Sequence, residues 1–256
     1  MGRWKKLAVL LCLAAGMAAA GSGTAAAETA VSGPGAGLTG TRDGKTVREE
    51  ETPLPEVPAE LNDKDLLSDP AVVGDADKIL VVRGKGGSAV RAAYYQVSEG
   101  VWSPVFETDG VWGLNGCSRD KREGDKKTPC GVYHFNRAFG ILDDPGSILP
   151  YHKVTENDYW VDDPDSIHYN RMVDVSQTER DWNSAEHLIE VSPYYHYALS
   201  ISYNEEAVPG MGSAIFLHCT AEGYPGSSGC ICIPEPEMKT VMISADEKTK
   251  IVILEH

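Results

Sequence analysis

The chain has 256 residues and a mass of 27.6 kDa, which is enough for one large domain or two small ones. Its composition, 42% hydrophobic and 24% charged, excludes both a disordered chain and a polytopic membrane protein. The 23 lysine and arginine residues are outnumbered by 38 acidic residues, which gives a net charge of -15. We therefore expect no nucleic-acid partner, because phosphate contacts need a basic surface.

The first 27 residues have the pattern of a signal peptide. Three basic residues within the first six positions precede an apolar run over 7–20, and three alanines over 25–27 provide the small residues of a cleavage site. We expect cleavage after Ala27, no integral membrane span after that cleavage, and export to the periplasm, the cell wall or the exterior. An uncleaved anchor is disfavoured, because residues 21–24 are poorly apolar.

Cleavage would leave a strongly acidic protein with an odd number of cysteines. It removes three basic residues and no acids, so 20 basic residues would face 38 acids, a charge of -18. Cys12 would be lost and five of the six cysteines would remain. At least one thiol must then be unpaired or pair with another molecule.

Residues 28–77 are rich in Gly, Thr, Pro and acids and show no sustained periodicity, which is typical of a linker. A folded domain is expected over 78–256. Its apolar runs predict strands and, at two places, helices. The expected strands are 79–82, 90–97, 101–106, 197–203, 214–217, 230–233 and 250–254, and the expected helices are 182–188 and 236–243. This predicts a mainly β domain with few short helices.

A histidine and a cysteine lie at the ends of two neighbouring predicted strands. His218 ends one strand, Cys230 opens the next, and the loop between them contains glycine and proline residues that suit a tight reversal. Neighbouring strands lie about 4.8 Å apart, so the two side chains are expected to meet. That arrangement predicts a nucleophile and its base.

The chemistry of such a pair sets further expectations. A free thiol is only a few per cent ionised at neutral pH, so an imidazolium at His218 is expected to stabilise the thiolate. Gly229 permits a close backbone approach, and amides around Gly229 and Cys230 are candidates for an oxyanion hole.

Residues 213–218, followed by Ser227-Ser228-Gly229-Cys230, resemble the catalytic motif of the L,D-transpeptidases of bacterial cell walls, the YkuD type. The segment Thr128-Pro129-Cys130-Gly131 is similar to the Thr-Pro-x-Gly segment of that family, and 182–186, 203–204 and 210–218 are similar to one of its branches. The resemblance extends across most of residues 78–256.

The resemblance implies a β-sandwich-type catalytic domain that acts on peptidoglycan stem peptides in cell-wall biogenesis and cell shape. It implies Cys230 as nucleophile, His218 as base, and Ser227, Ser228 and Gly229 as the surrounding motif. Cys230 would attack the third, L-centred residue of a tetrapeptide stem and release the terminal D-alanine. An amine of a neighbouring stem would then resolve the thioester into a cross-link. No metal or organic cofactor is implied, and carbapenems would acylate Cys230.

The sequence differs from many members of the family at two residues and in the length of one loop. Ser228 stands where many have histidine, Cys232 stands where many have arginine or asparagine, and the loop between His218 and Cys230 is short. Two alternatives therefore stay open: an L,D-carboxypeptidase that uses water as acceptor, and an inactive cell-wall-binding domain.

Other interpretations of the cysteines are weaker. His218, Cys219, Cys230 and Cys232 contain zinc-ligand chemistry, but strand alternation directs Cys219 away from His218. Cys232 is a candidate substrate contact, a second thiol beside the nucleophile, or a structural residue. A disulfide between Cys117 and Cys130 is neither predicted nor excluded.

Aromatic residues give two more candidate substrate contacts, Trp160 and Tyr203. Trp160 is also suited to the core, and Tyr194, Tyr195 and His196 carry the same ambiguity. The remaining histidines within 78–196 lack such a motif and are expected at structural or surface positions: His134, His152, His168 and His187.

Overall fold

The computed structural model describes residues 61–255. The predicted signal peptide, its cleavage site and residues 28–60 of the predicted linker lie outside the described residues. Strands dominate the described range, which confirms the mainly β fold class. They are β1 (Lys78–Gly86), β2 (Ala89–Ser98), β3 (Val101–Val111), β4 (Cys117–Ser118), β5 (Thr128–Pro129), β6 (Gly131–Gly140), β7 (Tyr151–Lys153), β8 (Asp158–Val161), β9 (Arg171–Asp174), β10 (Ala185–His187), β11 (Ala198–Ile201), β12 (Phe216–Cys219), β13 (Ile231–Ile233) and β14 (Lys250–Leu254). The helices are α1 (Asp63–Leu66), α2 (Pro70–Val73) and α3 (Glu235–Ser244), with 3-10 turns at Leu188–Glu190 and Tyr194–His196.

Nine of the strands form one sheet in the order β11-β12-β13-β3-β2-β1-β14-β6-β7. An additional pairing of β6 with β11 closes the sheet into a barrel-like form that is compatible with a β-sandwich-type domain. The enclosed core is apolar and fully buried. It includes Leu80, Val82, Phe135, Leu199, Leu217 and Ile253.

The strands that carry the candidate pair, β12 and β13, are parallel. Their register places Leu217 beside Ile231 and His218 beside Cys232. The sequence predicts a tight reversal between these two strands, which would make them antiparallel. Because they are parallel, residues 220–230 must instead lead from the end of β12 back to the level at which β12 begins. As a consequence, His218 lies beside Cys232, two residues beyond Cys230.

The folded region begins before the expected boundary at Lys78. Residues 61–77, assigned to the linker from their composition, form α1 and α2, and Leu66, Leu67, Val72 and Ala76 are buried in a cluster with residues of β1 and β14. Side chains of Asn62 and Asp69 cap the two helices. Composition hides this packing, because the apolar residues are few and their partners lie elsewhere in the chain.

One expected helix is present and the other is not. The predicted helix over 236–243 is confirmed as α3, which buries Met238, Val241 and Met242. The predicted helix over 182–188 is wrong, since Ala185–His187 form β10, which pairs with β8. A short, partly apolar segment does not distinguish a helix from a strand by its pattern alone.

Cys117 of β4 forms a disulfide with Cys130, which directly follows β5, the strand that pairs with β4. Cys219, Cys230 and Cys232 are free and buried. No helix within residues 61–255 has the length and apolar content to cross a membrane.

Candidate active site

Cys230 follows a turn whose shape is set by Ser227. The Ser227 hydroxyl accepts a hydrogen bond from the Gly229 amide at 3.0 Å and donates one to the Cys230 carbonyl at 2.6 Å. This corrects one expectation, because the Gly229 amide is already engaged and is not available to an oxyanion. Ser228, between them, is exposed.

Gly229 is required at this turn by space. A Cβ atom at Gly229 would lie 2.8 Å from Cδ1 of Ile215 and 3.1 Å from the carbonyl oxygen of Lys127. The close backbone approach expected from the sequence is therefore present, and any side chain would displace its neighbours.

Thr128 supports the same turn from the other side. Its hydroxyl donates to the Gly229 carbonyl at 2.8 Å and accepts from the Gly113 amide at 2.9 Å. Thr128 is fully buried and lies in β5, which the disulfide of Cys130 ties to β4. The Thr-Pro-x-Gly segment thus braces the turn that carries Cys230.

The Cys230 thiol is 7% exposed and donates to the Ala214 carbonyl at 3.1 Å. Ala214 has a positive φ of 52°, and its amide donates to Oδ1 of Asn170, which also accepts from the indole of Trp160. Trp160 is itself 6% exposed and packs against Phe139 and Phe216. The structure therefore places Trp160 in the core beneath the site, where it fixes the backbone that holds the thiol.

Burial raises the pKa of Cys230, and the negative charge of Glu186 raises it further. A hydrogen bond from the Phe216 backbone and the positive charge of Lys121 act in the opposite direction but do not overcome burial. In the resting site the sulfur is a thiol, and ionisation requires a base.

His218 is a neutral imidazole with a fixed tautomer. Burial lowers its pKa to about 4, although its hydrogen bond to the Cys219 carbonyl opposes the shift. Nδ1 lies 2.8 Å from that carbonyl oxygen and must carry the proton, because a carbonyl only accepts. Nε2 is left as an acceptor, so the imidazolium expected from the sequence is not present at neutral pH.

The partner of His218 also differs from expectation. Nε2 lies 3.5 Å from Sγ of Cys232, and no hydrogen bond within residues 61–255 joins His218 to Cys230. The parallel pairing of β12 and β13 is the cause, because it sets His218 opposite Cys232. Cys230 and Cys232 pack in one apolar cluster with Phe216, on the face of β12 to which strand alternation also directs His218.

Three tyrosines surround the imidazole and the thiols. The rings of Tyr195 and His218 are 5.1 Å apart, and those of Tyr194 and Tyr224 are 4.6 Å apart. Burial raises the pKa of Tyr224, and the nearby Cys232 and Cys230 raise it further. Tyr224 belongs to the loop after β12, and nothing in its sequence context distinguishes it.

Glu186 is the second acid–base group beside Cys230. Its carboxylate accepts a hydrogen bond from the Tyr195 hydroxyl at 2.5 Å. Burial raises the pKa of Glu186 to about 7, opposed by the Tyr195 hydrogen bond and reinforced by the charges of Asp162 and Glu123. The sequence did not predict this role, because Glu186 fell within a predicted helix; in the structure it lies in β10.

The side chain of Tyr203 contacts a loop of the protein itself. Its hydroxyl donates to the Met211 carbonyl at 2.7 Å, and its ring meets Tyr133 edge-on at 5.9 Å. The side chain is half-buried, and a contact with substrate stays a prediction.

Cys219 faces away from His218, as strand alternation predicts, and its thiol points to the Tyr197 carbonyl. Within residues 61–255, no three His, Cys, Asp or Glu side chains are grouped so as to hold a metal ion.

The other histidines named from the sequence have structural neighbours. These are Glu205 for His134, Asp158 for His152, Trp182 for His168 and Glu190 for His187.

Residues 62–253 match the family model of the YkuD L,D-transpeptidase catalytic domain. The chain belongs to this family. A search of curated proteins finds no significant match.

Solved structures resemble the chain at low identity. Bdellovibrio bacteriovorus Bd1075 is 16% identical with a TM-score of 0.39, over 71% of this chain and 49% of that chain. The Ldtfm-avibactam carbamoyl enzyme is 14% identical with a TM-score of 0.35, over 70% and 49%. A mutant Enterococcus faecium L,D-transpeptidase is 14% identical with a TM-score of 0.33, over 70% and 50%. The match spans about half the length of each of these chains.

Proposed function

We propose that the domain is an exported cysteine acyl transferase of peptidoglycan, with Cys230 as nucleophile and His218 as base. The observation that supports this most strongly is the turn at Cys230. Ser227 and Thr128 hold it on both sides, and the neighbouring strand carries a neutral imidazole whose Nε2 can accept a proton.

In the proposed reaction the Cys230 thiol leaves the Ala214 carbonyl and gives its proton to Nε2 of His218. The sulfur attacks the carbonyl of the third residue of a tetrapeptide stem. The proton on His218 then passes to the departing D-alanine amine, and a thioester remains. An amine of a neighbouring stem attacks the thioester and forms the cross-link.

A neutral histidine is suited to act as the base for Cys230. An imidazole that is already protonated cannot accept the thiol proton, and the low pKa of His218, about 4, keeps it unprotonated at neutral pH. The Phe216 backbone hydrogen bond favours the thiolate once it forms. Carbapenems, which acylate by the same attack, are expected to modify Cys230.

To test the proposal, the purified mature protein is incubated with disaccharide tetrapeptides and the products are followed by mass spectrometry. Cross-linked dimers are expected from the wild type and none from Cys230→Ala. Cys232→Ala is the matched control: it removes a buried thiol of the same strand and should retain dimer formation. Activity that survives Cys230→Ala but not Cys232→Ala would reverse the assignment of the nucleophile.

Two other outcomes correspond to the alternatives. Tripeptide without dimers would make the protein an L,D-carboxypeptidase. The inactive wall-binding domain is favoured by one observation, the contact of Nε2 with Cys232 instead of Cys230. This assignment would replace that of an enzyme if neither product forms and a carbapenem leaves the mass of the protein unchanged.

A further inference from the structure

Glu186 lies beside the nucleophile but has no role in the steps above. It sits in β10 opposite Trp160 of β8, and its carboxylate is bound by Tyr195, whose ring packs against His218. Its charge raises the pKa of both Cys230 and Tyr224. Glu186 therefore borders the same space as the thiol and the aromatic side chains.

Within residues 61–255 this carboxylate has no positively charged partner. None of the ion pairs in that range includes Glu186, Asp162 or Glu123; the charges of Asp162 and Glu123 raise the pKa of Glu186, and that of Glu123 raises the pKa of Asp162. Asp162 Oδ1 is buried and has no hydrogen-bond partner. Partly buried carboxylates without a cation are unfavourable, so a positively charged group of a ligand would stabilise this wall of the site.

The proposed cross-linking step supplies such a group. A side-chain amine of lysine type has a pKa of about 10.4 and is an ammonium ion at neutral pH. An ammonium has no lone pair and cannot attack a thioester. Two protons must leave the ammonium nitrogen before the amide is complete. His218, neutral again after the first half-reaction, carries one of them to the sulfur, so the other needs a second base.

We propose that Glu186 is a catalytic residue of the cross-linking step, which binds the ammonium group of the acceptor stem and removes a proton from it. This inference rests on the function proposed above. An N–H bond of the ammonium breaks and an O–H bond forms on Glu186. The freed lone pair forms the C–N bond, the C–S bond to Cys230 breaks, and the second amine proton passes through His218 to the sulfur. Glu186 then releases its proton to solvent.

The protonation of Glu186 fits this role. The groups that face it are Tyr195 from the 3-10 turn, Asp162 after β8, Glu123 in the loop before β5, Cys230 and Tyr224. Burial and the charges of Asp162 and Glu123 hold its pKa at about 7, against the opposing hydrogen bond from Tyr195. The carboxylate form, which is the base, therefore increases as the pH rises through neutrality, and the rate of dimer formation should rise with it.

The test compares Glu186→Gln with wild type in two assays. Gln retains an acceptor for the Tyr195 hydroxyl but carries no charge and does not take up the proton. Acylation by a carbapenem needs no acceptor amine and should change less than about 3-fold, whereas dimer formation should fall about 100-fold, the range of general base catalysis. Tripeptide released by water should persist. Glu190→Gln, an exposed carboxylate four residues away that pairs with His187, is the matched control and should behave as wild type.

Three further readouts separate a chemical role from a structural one. Hydroxylamine, which is unprotonated at neutral pH, should resolve the acyl-enzyme of Glu186→Gln as fast as that of wild type. The deficit in dimers should shrink at high pH, where the stem amine loses its proton to water. Glu186→Asp should recover part of the dimer rate, and thermal unfolding should show that each variant is folded.

The inference is overturned if Glu186→Gln forms dimers at the wild-type rate, or if carbapenem acylation falls in parallel with dimer formation. A wild type that is acylated but yields no dimers would also overturn it, while leaving cysteine chemistry in place. A wild type that is not acylated at all would remove the proposed function and this inference together.

Discussion

Two carboxylates in this domain have opposite surroundings. Asp63 of α1 accepts hydrogen bonds from Arg83 at 2.8 Å, Arg91 at 2.7 Å and Tyr95 at 2.7 Å. Burial would raise its pKa, but these bonds lower it. Glu186 accepts a hydrogen bond from the Tyr195 hydroxyl and forms no ion pair within residues 61–255, and its pKa is raised to about 7.

The difference separates a carboxylate that stabilises the fold from one that is available to a ligand. Around Asp63 every charge has a partner, so α1 is fastened to the sheet. Around Glu186, within residues 61–255, no cation forms an ion pair, and burial shifts the pKa values of Glu186, His218 and Cys230. Such burial of ionisable groups is unfavourable for folding and characteristic of functional sites.

The largest expected effect is at the paired carboxylate. Asp63→Ala leaves Arg83 and Arg91 partly buried with one partner fewer, and should lower the free energy of unfolding by about 3 kcal/mol. Urea denaturation measures this. Asp75→Ala is the control, because its pair with Lys248 is exposed and should contribute little. Equal losses in the two variants would contradict the comparison.

The buried, neutral His218 should make the stability of the domain sensitive to acid. The folded state holds the pKa of His218 at about 4, below the ordinary 6.5, so its stabilising contribution is present above pH 6.5 and is lost as the pH falls through 4. A shift of this size corresponds to about 3 kcal/mol at most. The difference in unfolding free energy between wild type and His218→Gln should therefore shrink as the pH falls from 7 to 4. A difference that does not depend on pH would argue against the buried neutral imidazole.

The site is also constrained by space, which Gly229→Ala tests. The new methyl group meets Ile215 and Lys127, and should reduce the unfolding free energy by about 2 kcal/mol and slow acylation of Cys230. Ile215→Val removes the Cδ1 atom that lies nearest. The double variant should thus regain part of both losses, and a simple sum of the two single effects would show that Ile215 is not the obstacle.

The smallest expected effect is a gain in the free energy of unfolding, at Glu186. Because the raised pKa of Glu186 means that folding favours the protonated form, its stabilising contribution is present below the unfolded value of 4.5 and is lost as the pH rises through about 7. Glu186→Gln should therefore stabilise the protein by about 1 kcal/mol at pH 8, after allowance for partial exposure, and by nothing at pH 4.5. Destabilisation at pH 8 would place Glu186 in the same class as Asp63.

The sequence predicted β1, β2, β3, β11, β12, β13 and β14, together with α3 and the turn at Cys230, because alternation, a proline-led helix and a glycine in a tight turn are local signals; it did not predict β4 to β10. It did not predict that His218 lies opposite Cys232, since that depends on β12 and β13 being parallel, which is set by their pairing with other strands. The place of α1 was also hidden, because the arginines that hold Asp63 are 20 and 28 residues away. Glu186 was missed for a similar reason: only the pairing of β10 with β8 brings it to the site.

The position of β14 bears on when the domain can fold. This last strand lies between β1 and β6, parallel to the first and antiparallel to the second, and Val252 within it is fully buried. Before residue 254 has been synthesised, β1 lacks one of its two neighbours and the barrel-like sheet cannot close. Closure of the sheet therefore requires that β14 has been synthesised and has paired with β1 and β6, so the sheet cannot be completed strand by strand in chain order.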